Sequence, residues 1–161
     1  MTSSPNKGNG WYFGVSFDRS TGSILFENRT AAYDYMWEKS FSAGGKPIRE
    51  VSGWVLNDGR VITLPYAENR AKRSKNDWLK LKRINDKMHV EFNDKWHPIY
   101  THIHTHPSYY YFGDPGLSKG PNSDEDMFRR INVPIQVIYN GAIFEADYYY
   151  NNWRILKRWQ W

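Results

Sequence analysis

Thr101-His102-Ile103-His104-Thr105-His106-Pro107 is the stretch on which both fold and chemistry turn. Side chains of a strand alternate between its faces, so His104 and His106 project side by side from one face. At a rise of ~3.3 Å per residue their Cα atoms lie about 6–7 Å apart. Two imidazoles at that spacing can converge on one Zn²⁺ at ~2.0–2.1 Å. Pro107 cannot continue the ladder and ends the segment. His102 shares the face and offers an alternative pair with His104. The chain after Pro107 turns toward an acidic segment, which favours His106 and leaves His102 to packing or to support of the ligands.

That acidic segment is Ser123-Asp124-Glu125-Asp126. A helix opening at Ser123 places Asp126 in its first turn, where a carboxylate oxygen would complete an N,N,O zinc site with one position left for water. Asp124 offers the same oxygen chemistry. Taken alone, Ser123 and Asp126 read as a capping box. A zinc hydrolase also needs a base for water, and Glu50 meets that need. It stands in Arg49-Glu50-Val51-Ser52-Gly53-Trp54-Val55-Leu56, which otherwise reads as a buried strand. A carboxylate there is costly unless paired or functional. Gly53 removes a side chain, which allows another backbone or a substrate to approach.

Other elements follow from local signals. Trp11 to Phe26, around Ser20-Thr21-Gly22-Ser23, predicts a hairpin. Thr30 caps a predicted helix from Ala31 to Phe41, with Tyr33, Met36, Trp37 and Phe41 near one face and Gly44-Gly45 as its end. Ile48 to Leu56 and Val61 to Leu64 form strands about Asn57-Asp58-Gly59. Ala67 to Asp86 is basic and reads equally as a short helix or a surface excursion. Met88 to Phe92 and Ile99 to His106 read as strands. A Tyr-, Gly- and Pro-rich loop spans Ser108 to Asn122, and a helix runs from Ser123 to Asn132. Pro134 to Tyr139 and Ala142 to Tyr150 flank Asn140-Gly141 as a hairpin. This order predicts an α/β (α+β) sandwich.

The chain has 161 residues, enough for one domain with a core, and its aromatic content of 17% supplies apolar area. Met1 to Gly10 reads as a flexible lead-in without a signal-peptide core, and residues 11–161 as a single domain. No apolar run nears the ~20 residues of a membrane span. Cysteine is absent, which excludes disulfides, thiolate metal sites and cysteine catalysis. The net charge of +5 is concentrated in residues 70–83 and in Arg154, Lys157 and Arg158. Such clusters attract nucleic acid or acidic protein, although a solvated basic surface is the commoner meaning. His89 and His97 read as structural or exposed. Tyr109, Tyr110 and Tyr111 read equally as substrate contacts or surface aromatics, and Trp153, Trp159 and Trp161 as packing residues.

Glu50-x-x-Gly53, His104-Thr105-His106-Pro107 and Ser123-x-x-Asp126, in this order, resemble the signature of the JAMM (JAB/MPN) zinc metallopeptidases. The resemblance covers roughly residues 31–150. It implies an MPN/JAB-like, cytidine-deaminase-like mixed β-sheet flanked by helices. It also implies one Zn²⁺ per chain on His104, His106 and Asp126, with Glu50 as general acid/base and Ser123 holding the oxyanion. The stretch from His106 to Ser123 is longer than is usual in the family. Asn28-Arg29-Thr30-Ala31-Ala32 and Glu50 look more like the JAB-like domains of bacterial polymorphic toxins than like eukaryotic deubiquitinases. The expectation is therefore a bacterial hydrolase of peptide or isopeptide bonds, cytoplasmic or secreted as an effector. Its partners would be a protein substrate and a cognate immunity protein, with no membrane. A non-catalytic MPN-like scaffold and a basic toxin acting on nucleic acid are the alternatives.

Overall fold

The computed structural model describes residues 14–66, 81–107, 117, 119 and 124–160. Their elements run β1 (Val15–Asp18), β2 (Ser23–Phe26), α1 (Arg29–Lys39), β3 (Ser52–Leu56), β4 (Val61–Thr63) and β5 (Leu81–Ile84). Then come β6 (Lys87–Phe92), β7 (Lys95–Thr105), α2 (Asp124–Ile131), β8 (Ile135–Tyr139), β9 (Ala142–Tyr149) and β10 (Asn152–Gln160). The class is α+β, with one largely antiparallel sheet in the order β1-β2-β4-β3-β7-β8-β9-β10. The hairpin of β5 and β6 attaches to β7.

β7 is shared by three neighbours. Lys95 to Pro98 pairs with β6, Ile99 to His104 with β3, and His102 to Thr105 runs parallel to β8. The strand begins at Lys95, earlier than the expected Ile99, and runs through Pro98. Proline costs a ladder donor but keeps its carbonyl, and here that oxygen accepts from Asn57 N–H at 3.1 Å.

Alternation along β3 sorts the core into two layers. Trp54 packs with Met127 and Ile131 of α2, and with Ile135 and Val137 of β8. Val55, its neighbour, packs on the opposite face with Ala32, Tyr33 and Met36 of α1 and with Ile103 and Ile138. Gly53 is required by close approach. A Cβ there would sit 2.4 Å from the carbonyl oxygen of Ile62, so the backbone of β4 fills the space.

Several boundaries differ from the sequence expectation for local chemical reasons. α1 starts at Arg29 and is capped by Asn28, not Thr30; the Asn28 side-chain oxygen accepts from Ala31 N–H at 3.1 Å. The helix ends at Ser40, well before Gly44-Gly45, where the Ser40 hydroxyl donates to Met36 O at 2.8 Å. Gly45, at φ +83°, instead serves the turn that returns the chain from Phe41 to Pro47. β3 begins at Ser52 rather than Ile48, because Ile48 and Arg49 donate their N–H groups to Ser40 O. Leu81 to Ile84 is a strand, while residues 67–80 and 108–116 lie outside the described residues. β10 was not expected at all. No helix among the described residues is long and apolar enough to cross a membrane.

Two buried carboxylates tie strands together. Glu145 on β9 accepts from Tyr100 Oη at 2.9 Å and from Gln136 Nε2 at 2.9 Å. Burial, reinforced by the bond to Glu145 and its charge, pushes the Tyr100 phenol up to about 12. Asp18 joins the first hairpin to the β6–β7 turn, accepting from Asn93 N–H at 2.8 Å, Ser20 Oγ at 2.7 Å and Ser20 N–H at 3.0 Å. Burial pushes its carboxyl up, yet these donors together outweigh burial and hold it below the ordinary value. A lowered folded value stabilises the fold above the unfolded value of ~3.9, and that stabilisation vanishes as pH falls through the folded value. Asp18→Asn is therefore expected to lower the urea midpoint at pH 7. The gap to wild type should narrow steadily below about pH 4. A gap independent of pH would contradict this reading.

Candidate metal centre

The register of β3 against β7 builds the site. Ser52 lies opposite His104 and Trp54 opposite His102. Thr105 N–H donates to Val51 O at 3.0 Å, which carries the pairing one residue past β3. Glu50 therefore comes level with His106. Opposed residues of an antiparallel pair share a face, so Glu50, Ser52 and Trp54 line up with His106, His104 and His102.

The outcome is a convergence of three donors. Possible ligand atoms of Glu50, His104 and His106 all lie within 4.8 Å of one another. His104 Nε2 and His106 Nε2 are 2.9 Å apart. Both rings are buried, whereas Glu50 is half-buried. Two nitrogens bound to a tetrahedral zinc at ~2.0–2.1 Å are roughly 3.3 Å apart. The rings would need to open by only a few tenths of an ångström to hold such an ion. Two imidazoles and a carboxylate form a donor set suited to zinc.

The first turn of α2 covers this site. Asp124 Oδ1 lies 3.1 Å from His104 Nε2. Asp126, the ligand expected from the sequence, has its carboxylate 3.4 Å from Arg130 Nη2. Successive helical residues turn by about 100°, so positions 124 and 126 face about 200° apart and cannot both aim at His104. Among the described residues, the group whose donors mutually converge holds neither aspartate. Ser123 lies outside the described residues, as do Tyr109, Tyr110 and Tyr111.

His102 remains behind the centre. Its ring packs edge-on against Trp54 at 4.8 Å between centroids, and neither ring nitrogen has a hydrogen-bond partner among the described residues. Burial pushes its imidazole well below the ordinary value; His104 adds to this and Asp124 opposes it. A neutral ring packed beneath His104 is the outcome. His97 is also lowered, first by burial and then by Arg60.

Sequence reasoning missed the groups that hold this centre from behind. Thr105, between the two histidines, points to the opposite face and is fully buried. Its Oγ1 accepts from Val51 N–H at 2.9 Å and lies 2.6 Å from Ser40 Oγ. The Ser40 proton is committed to Met36 O, so Thr105 donates to Ser40. The end of α1 thereby fixes the residue after Glu50 and the residue between the two histidines together. The Arg49 guanidinium donates to Lys39 O and lies 4.7 Å over the Tyr66 ring, which pins the other side of Glu50. A hydroxyl at a position of the alternation assigned to the core was the available signal.

Thr105→Val keeps the volume and removes the hydroxyl. A stranded buried donor costs about 1–3 kcal/mol. Zinc affinity should fall by about 10–100-fold, the usual effect of losing a group that orients ligands. Thr105→Ser should restore most of that affinity. Calorimetric zinc titration beside a thermal melt checks both expectations.

Comparison with known proteins adds no relative: no protein-family model, no curated protein and no solved structure matches the chain.

Proposed function

We propose that the chain is a zinc-dependent hydrolase of peptide or isopeptide bonds, acting through Glu50, His104 and His106. The observation that carries this reading is the convergence of those three donor groups within 4.8 Å. The ordered motif of Glu50-x-x-Gly53, His104-x-His106-Pro107 and Ser123-x-x-Asp126 supports it from the sequence. An MPN/JAB-like arrangement of the sheet and helices belongs to the same proposal, as does an origin in a bacterial effector.

In this reading His104 and His106 hold the ion, and the first turn of α2 supplies the third ligand. The closeness of Asp124 to His104 supports Asp124 for that role over Asp126. A zinc ion held there supplies Lewis acidity, lowering the pKa of water and polarising a carbonyl. Glu50 accepts the proton of the attacking water and returns it to the leaving nitrogen. Half-buried and pinned on both sides, it keeps its carboxylate within reach of the ring nitrogens without sealing it from substrate. Ser123 donates a hydrogen bond to the oxygen that gains charge.

The test is cleavage of a mixed peptide library and of an isopeptide-linked ubiquitin-type dimer by the full chain. Activity that disappears with a chelator and returns with stoichiometric Zn²⁺ is the expected result. A chain that binds zinc but cleaves neither substrate class would leave a metal-stabilised scaffold in place of the hydrolase.

A further inference from the structure

β10 is the last strand of the sheet order, and among the described residues nothing pairs with its outer edge. It is 9 residues long, and every residue but Trp153 is exposed. Natural edge strands are kept from indiscriminate pairing by shortness, proline, cover, charge or a β-bulge, and β10 relies on the last two. β10 contains no proline and leaves Ile155 42%, Leu156 41% and Trp159 39% exposed.

Charge tells what would fit. Asn152–Gln160 carries Arg154, Lys157 and Arg158 and no acidic residue. Arg154 is already answered by Asp147, at 2.6 and 3.1 Å. Lys157 lies opposite Glu145 and Arg158 opposite Phe144, so these two cations leave the strand on opposite faces. An irregularity between Ile155 and Lys157 twists the edge just before them. A second copy of β10 would set like charges together, which disfavours self-pairing. Nucleic acid fits poorly, because aromatic rings that would stack on bases are engaged by the chain's own cations. Arg154 lies 4.5 Å from the exposed Tyr149 ring and Lys157 Nζ 5.9 Å from that of Trp159.

We propose that the outer edge of β10 is a docking edge for an extended acidic polypeptide segment. The segment adds as a further strand and sets two adjacent carboxylates against Lys157 and Arg158. Main-chain hydrogen bonds supply the attachment, and the charge pair supplies register and choice of partner. This edge does not depend on the zinc reading, since none of the residues involved belongs to the metal centre.

The test uses the full chain and three labelled nine-residue peptides of alternating Val and Thr. One has a central Glu-Glu, one a central Lys-Lys, and one has Glu-Glu with alternate backbone nitrogens methylated. The Glu-Glu peptide should bind, and amide exchange of β10 should slow when it does. The double substitution Lys157→Glu, Arg158→Glu should weaken that binding at least about tenfold and transfer preference to the Lys-Lys peptide. Equal binding of the methylated peptide would overturn strand addition, leaving charge attraction alone. Unchanged binding by the double variant would overturn the assigned contacts. Exchange already slow in the free chain would mean that the edge is covered by other parts of the chain or by a second copy, the latter visible by sedimentation. A uridine homopolymer that binds where the Glu-Glu peptide does not would assign the surface to nucleic acid instead.

Discussion

Glu50→Gln is expected to leave zinc on the protein while cutting hydrolysis by at least about a hundredfold, the usual scale for losing a general base. The substitution keeps size and hydrogen-bonding capacity but removes the proton acceptor. Its neighbours hold the backbone independently of the carboxylate, Arg49 through Lys39 O and Val51 through Thr105. The loss should therefore fall on kcat with little change in stability. Loss of zinc together with activity would make Glu50 a ligand rather than a base, which the mutual 4.8 Å spacing of the three donors also permits.

His104→Ala should take zinc from one ion per chain to a trace, because two remaining donors do not make a tight site. The neighbouring aspartates separate cleanly in the same assay. Asp124→Asn removes the carboxylate 3.1 Å from His104 and should weaken zinc strongly. Asp126→Asn removes a pairing with half-exposed surroundings and should change affinity little. The reverse ranking would restore Asp126, the ligand that the sequence pattern implies. Metal analysis after dialysis, with melting curves to verify folding, reads all three variants.

Strand alternation makes the pairing of His104 with His106 on one face legible in the sequence. Spacing singles out His104 and His106, the cost of burying a carboxylate singles out Glu50, and the possible donor atoms of the three lie within 4.8 Å of one another. The Asn140-Gly141 hairpin was equally plain, and both residues sit at positive φ, 48° and 81°. Other turns use the same geometry with weaker letters. Asn85-Asp86, Asn93-Asp94 and Tyr150-Asn151 are all left-handed. The last of these hid β10, since tyrosine is not a residue expected at positive φ. The choice between Asp124 and Asp126 depends on how α2 is rotated over the sheet. Packing of Met127 and Ile131 against Trp54 sets that rotation, and spacing in the chain does not encode it. The hydroxyl link from Ser40 to Thr105 spans 65 positions, beyond any local pattern.

Sharing β7 among three partners has a kinetic consequence. Val51 and Thr105, which bring Glu50 beside His106, are 54 positions apart, so a large loop must close before the donors meet. Contacts of such long range form late and slowly. An ion arriving at this candidate centre would therefore find no half-built nest to seed. It would act as a latch on a finished door, slowing departure from the native state without hastening arrival.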